Sequence, residues 1–145
     1  MPPTTTEGIV LSLQALTDSS LIVTWLTRDR GKLKTVAKAA KRPTSPFAGQ
    51  IDLFYVAMLT FAESKRSELH TLREVKLLQQ PKKLRTDYNA LKTAVKLAEY
   101  LNKTLEPEFP DPELYELCKS YLQSLETDES EERESLRQSI WKHMK

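Results

Sequence analysis

Apolar and polar residues alternate with period two through the first half of the chain. Ile9, Leu11 and Leu13 alternate with Val10, Ser12 and Gln14, and a β-rich run, Leu21 to Thr27, follows. A polar turn comes next, Arg28-Asp29-Arg30-Gly31, with glycine where a positive φ is needed. Lys32 to Lys38 alternates again, with Leu33, Thr35 and Ala37 on one side. Residues 39–50 hold two prolines and one glycine and read as a loop. Ile51 to Ala62 reads as a long apolar strand, Glu63 to Ser67 as a polar turn, and Glu68 to Leu78 as a last strand. Five strands with short connections predict a small closed or partly open β-barrel. A five-stranded Greek-key barrel of this size is the OB-fold; an SH3-like barrel shares the same pattern.

The second half changes period. Leu84, Tyr88, Leu91, Val95, Ala98, Leu101 and Leu105 step by three or four, which is one helical face. Pro107 and Pro110 break it, and Asp111 caps a second helix with Pro112 at its first position. Leu114, Leu117, Cys118, Tyr121, Leu122 and Leu125 form the apolar face of that helix. Asp128 and Glu131 have capping-box spacing ahead of a third helix, whose face is Leu136, Ile140, Trp141 and Met144. The expected organisation is an OB-fold, nucleic-acid-binding domain over residues 1–79. A helical domain or appendage of about three helices follows over residues 80–145.

Composition narrows the function. Of 145 residues, 39% are apolar and 29% charged, and one domain with a small appendage fits that length. No run of eighteen apolar residues occurs and the start has no signal-peptide pattern. One cysteine and two histidines exclude a disulfide framework and a CxxC zinc site within the chain. A soluble, reducing, cytoplasmic setting is expected, with no membrane, cofactor or metal. No Walker loop, GxGxxG, HExxH or GxSxG occurs, so no enzymatic activity is expected.

The net charge of +2 hides an asymmetry. Residues 1–78 hold 11 Lys/Arg and 7 Asp/Glu, whereas residues 79–145 hold 11 and 13. Arg28, Arg30, Lys32, Lys34, Lys38, Lys41 and Arg42 stand against a single acid, Asp29. Such a stretch attracts polyanions by counterion release. With Leu33, Thr35 and Ala37 facing the barrel interior, Lys32, Lys34 and Lys38 share the outer face. The turn adds Arg28 and Arg30, and the loop adds Lys41 and Arg42. The bland alternative is a solvated surface whose lysines guard an edge. Phe47 in the basic loop is either a base-stacking aromatic or a residue tucked back over the barrel. Lys65 and Arg66 either extend the basic surface or solubilise a hairpin tip. Trp25 and Cys118 read as core, and Glu68 and His70 lack the partners that catalysis needs.

The order of several segments resembles the bacterial recombination mediator family RecO. These are Glu7-Gly8-Ile9-Val10-Leu11, then Asp18 to Thr24 with Leu26-Thr27 and the Arg-Gly turn. Val36-Ala37-Lys38-Ala39-Ala40-Lys41-Arg42-Pro43 and Glu68-Leu69-His70-Thr71-Leu72-Arg73-Glu74 complete the series. The resemblance is strongest over residues 7–78. It implies an N-terminal OB-fold and a helical domain. It also implies binding of single- and double-stranded DNA, strand annealing, and partnership with RecR and the single-stranded DNA-binding protein SSB in RecF-pathway repair. RecO chains usually continue into further helices, some with a four-cysteine zinc site, so a truncated chain or a minimal family member is expected here. The alternative function is a scaffold that docks RecR or SSB with little DNA binding of its own.

Overall fold

The structure is a computed structural model that describes residues 3–126 and 130–144. Five strands close into a barrel: β1 (Thr4–Ala15), β2 (Leu21–Thr27), β3 (Gly31–Ala37), β4 (Val56–Ala62) and β5 (Leu69–Gln79). Their order around the barrel is β1-β2-β3-β5-β4, the OB-fold arrangement. Neighbours are antiparallel except β3 and β5, which share a short parallel ladder from Lys34–Leu69 to Val36–Thr71. A 3-10 turn (Lys82–Arg85) leads to three helices, α1 (Tyr88–Thr104), α2 (Pro112–Ser124) and α3 (Ser130–Met144). No described helix is long and apolar enough to cross a membrane.

Two cores explain where the strand residues point. Val10, Val23, Trp25, Leu33, Ala37, Leu59, Phe61 and Leu72 fill the barrel. Ile9, Leu11, Leu26, Phe54 and Val56 face outward and pack under α1, α2 and α3 against Leu101, Leu114, Tyr121 and Ile140. Both faces of β1 and β2 are therefore apolar where the helices cover them. Trp25 is fully buried, and its indole N–H donates to the Thr35 hydroxyl at 3.0 Å. Burial of an indole carries little cost when its one donor is satisfied.

Three local expectations change. Ile9, Leu11 and Leu13 do not share a face: a bulge between Val10 and Ser12 inverts the parity, so Leu13 packs toward the barrel interior. The predicted strand over 51–62 begins only at Val56. Phe54 has φ +66°, which no strand residue adopts; its ring joins the helical core while Tyr55 joins the barrel core. The helical face that begins at Leu84 is also interrupted, because Asp87 caps a separate α1 by accepting from the Ala90 N–H at 3.1 Å. Asp111 caps α2 in the expected way, accepting from Leu114 N–H at 3.1 Å. Asp128 of the proposed capping box lies outside the described residues.

The connection between α1 and α2 is held on the barrel. Glu108 N–H donates to Lys32 O at 2.8 Å, and its carboxylate meets Arg30 and His70, each at 3.2 Å. Gly31 makes this contact possible. It has φ +67°, and a Cβ there would lie 2.3 Å from the Phe109 carbonyl oxygen.

Candidate nucleic-acid interface

Strand β3 decides which cations reach solvent. Leu33, Thr35 and Ala37 are fully buried inside the barrel, so Lys32, Lys34 and Val36 point outward. This outer β2–β3 face is where OB barrels take extended ligands, and here it is half covered. Lys32 is only 9% exposed, and its ammonium donates to Asn102 O on α1 at 2.7 Å. Burial, with the nearby Lys34 charge, pushes the Lys32 ammonium below its ordinary value.

The two arginines of the turn are also engaged. Arg30 is paired with Glu63 and Glu108, and its guanidinium lies over the Phe61 ring. Arg28 lies 2.5 Å from Glu116 and 3.5 Å from Glu7, over the Tyr115 ring. Glu7 closes this seam: its Oε2 accepts from the Tyr115 hydroxyl at 2.5 Å and from Lys119 at 3.0 Å. Arg28, Arg30 and Lys32, three of the seven cations in the run, therefore join barrel to helices and already hold anionic or carbonyl oxygens.

Glu7 makes this seam acid-sensitive. Burial pushes its carboxyl up, but the Tyr115 hydroxyl, Lys119 and Arg28 outweigh burial and hold it below its ordinary 4.5. A carboxylate with a lowered native pKa stabilises the fold above its ordinary value, and that contribution is lost as pH falls through the native one. Glu7→Gln is expected to cost about 2 kcal/mol at pH 7, because Arg28 and Lys119 lose their shared anion. The gap between variant and parent in urea-melt free energy should narrow at pH 3. An equal gap at both pH values would refute the seam's dependence on the ionised carboxylate.

The remaining predicted cations are free of ion pairs with described residues. Lys34 is half-buried, and Lys38, Lys41 and Arg42 are exposed. Lys38 lies just past the end of β3, in a turn tied to the β1–β2 connection. In that turn Lys41 N–H donates to Ser19 O at 2.9 Å and Ala39 N–H to the Ser20 hydroxyl at 3.1 Å. Lys65 and Arg66 are exposed in the β4–β5 turn. That turn leads into Leu69, the β5 partner of Lys34. The two groups thus lie toward opposite ends of one barrel flank.

Sequence reasoning passed over Arg73. It lies on β5 two residues past Thr71, the last β5 residue paired with β3. Arg73 is the extra residue of a bulge between Leu72 and Glu74 and is exposed. Its signal was the alternation of β5, in which His70 and Leu72 point inward.

Phe47 does not supply a stacking surface. It is 7% exposed and joins the barrel core from within the β3–β4 connection. Among the described residues the most exposed aromatics, Phe109 and Tyr88, lie in the helical half. The described residues of the basic flank include no exposed aromatic ring. His70 is enclosed: Nδ1 accepts from Ser64 N–H at 2.9 Å, which leaves Nε2 as the donor to Glu108 at 3.2 Å. Glu68 is exposed and outside that pairing. Burial pushes the Cys118 thiol up to about 12, which suits a small core residue and not a nucleophile.

The family model described as "Recombination protein O N terminal" matches residues 1–81, more than half of the chain. The chain belongs to the RecO family. It is 31% identical over 128 residues to the DNA repair protein RecO of Syntrophus aciditrophicus, covering 88% of this chain and 49% of that protein. It is 34% identical over 135 residues to that of Idiomarina loihiensis, covering 93% and 56%. Against the DNA repair protein RecO of Bacillus subtilis the figures are 31% over 119 residues, covering 82% and 46%. The chain spans about half the length of the curated RecO relatives it matches.

Proposed function

We propose that this chain is a RecO-type DNA-binding recombination mediator that acts in DNA repair. It binds single- and double-stranded DNA through phosphates, with little sequence preference, and promotes annealing by holding two strands on one surface. The sorting of the basic run carries this reading. Three cations are consumed by the seam, while Lys34, Lys38, Lys41 and Arg42 of the run, and Arg73 on β5, make no ion pair with a carboxylate among the described residues. Phosphate contacts carry no base information, so selectivity among sequences should be slight. Work with RecR and SSB in the RecF pathway, in a bacterial cytoplasm and without catalysis by this chain, is part of the same proposal.

The test is fluorescence anisotropy with single-stranded DNA across a salt series. With about five phosphates neutralised, log K should fall against log salt with a slope of about −3.5. A flat response would reject phosphate binding and turn the reading toward a protein-docking scaffold.

A further inference from the structure

Strand β1 loses its neighbour on one side halfway along its length. Its ladder to β4 runs from Thr4 to Ile9, whereas its ladder to β2 continues to Ala15. Val10 is still held on the β4 side: its N–H donates to Tyr55 O at 3.0 Å and its carbonyl accepts from Phe54 N–H at 2.9 Å. Beyond it, no described strand flanks that edge of Leu11–Ala15.

The edge opens on a groove of about 280 Å³. Leu11, Ser12 and Leu13 line it, followed by Asp52, Leu53 and Phe54. Leu11 belongs to the helical core and Leu13, past the bulge, packs toward the barrel interior, so a groove that touches both runs along the strand edge. The opposite wall is Val95, Ala98, Glu99 and Asn102, one stripe of α1 at helical spacing. That stripe spans about 10 Å of helix axis, room for about three extended residues.

This edge is unguarded. No charged residue occurs from Gly8 through Thr17, although edges that stay unpaired are usually protected by lysine, proline or another charge. Leu53 in the groove and Leu16 just past the strand are 36% and 47% exposed. The lining holds two carboxylates and no cation. Asp52 is paired with Arg85 at 3.0 Å, while Glu99 is exposed and makes no ion pair with a described residue.

We propose that the groove receives an extended segment of a partner protein that alternates apolar and basic residues and adds to β1 as a further strand. Its backbone bonds along Ser12–Ala15, its apolar side chains lie against Leu11, Phe54 and Ala98, and a lysine or arginine meets Glu99. A second copy of this chain is the poorer occupant. A second β1 has no charged residue from Gly8 through Thr17 to meet Glu99, and it arrives with its own barrel and α1. The proposal does not depend on DNA binding by the basic flank.

A phage-displayed random peptide library panned against the whole chain tests it, followed by titration of the enriched synthetic peptides. Enriched peptides should alternate apolar residues with Lys or Arg, and their binding should slow amide hydrogen exchange at Ser12 to Ala15. Glu99→Lys should weaken them about tenfold, and Leu53→Asp should do so independently. Both positions are exposed, and circular dichroism checks that each variant folds. DNA affinity should stay at the parent value in both. Absence of enrichment, protection elsewhere, or peptides indifferent to both variants would overturn the proposal. So would a concentration-dependent dimer that Glu99→Lys dissociates, since the edge would then belong to a second copy.

Discussion

Charge reversal at Lys38 and Arg42 together is expected to weaken single-stranded DNA binding by about 10- to 100-fold near 0.1 M salt. Each reversal removes one phosphate partner and places a carboxylate against the backbone. The salt slope should also become shallower by about 1.4, the share of two phosphates on a single strand. Both side chains are exposed and make no ion pair with a described residue, so folding should be unaffected. The matched control is Lys92→Glu with Lys96→Glu on α1, which are likewise exposed and produce the same change in net charge. Lys119 cannot serve as a control, because it donates to Glu7 at 3.0 Å and its reversal would open the seam. Anisotropy titrations at two salt concentrations separate the outcomes. Equal losses in the two double variants would mean that overall charge, and not the barrel flank, governs binding.

The second large effect concerns stability. Phe47→Ala is expected to cost about 3–5 kcal/mol, the usual range for emptying a buried phenylalanine site. The ring contributes to the barrel core from within an irregular connection that has no ladder of its own. Scattered bonds hold that connection, such as Gln50 N–H to Phe47 O at 2.9 Å and Leu77 N–H to the Gln50 side-chain carbonyl at 3.3 Å. For a chain of this size the loss corresponds to a fall in Tm of about 10 °C. DNA affinity per folded molecule should change little, because the ring faces the core. A variant that melts like the parent but loses single-stranded DNA binding would restore Phe47 to the role of a stacking aromatic.

How far the sequence reaches is clearest in β3. Its alternation alone places Leu33, Thr35 and Ala37 inside and Lys32 and Lys34 outside, because a strand has a period of two whatever surrounds it. The same local logic foretold the β2 span, the Asp111 cap of α2 and the burial of Trp25 and Cys118. Five short strands with this spacing left few ways to close, and the barrel is the OB arrangement. RecO membership was legible as well, since it rests on segments met in order along the chain.

The fate of the cations was decided elsewhere. Nothing local to residues 28–32 tells that Glu116, Glu108 and the Asn102 carbonyl will arrive from up to 88 residues away to engage Arg28, Arg30 and Lys32. Glu7 and Glu63 of the barrel half share these arginines, but Glu108 and Glu116 lie in the helical half, and the packing of Ile9, Leu11 and Leu26 under the helices brings them to the barrel. Phe47 moved for a similar reason: its ring joins the barrel core from an irregular connection. Periodicity is a property of a segment and can be read from it. Which outward groups remain in water depends on what packs over them, and that is set by contacts between segments far apart in the chain.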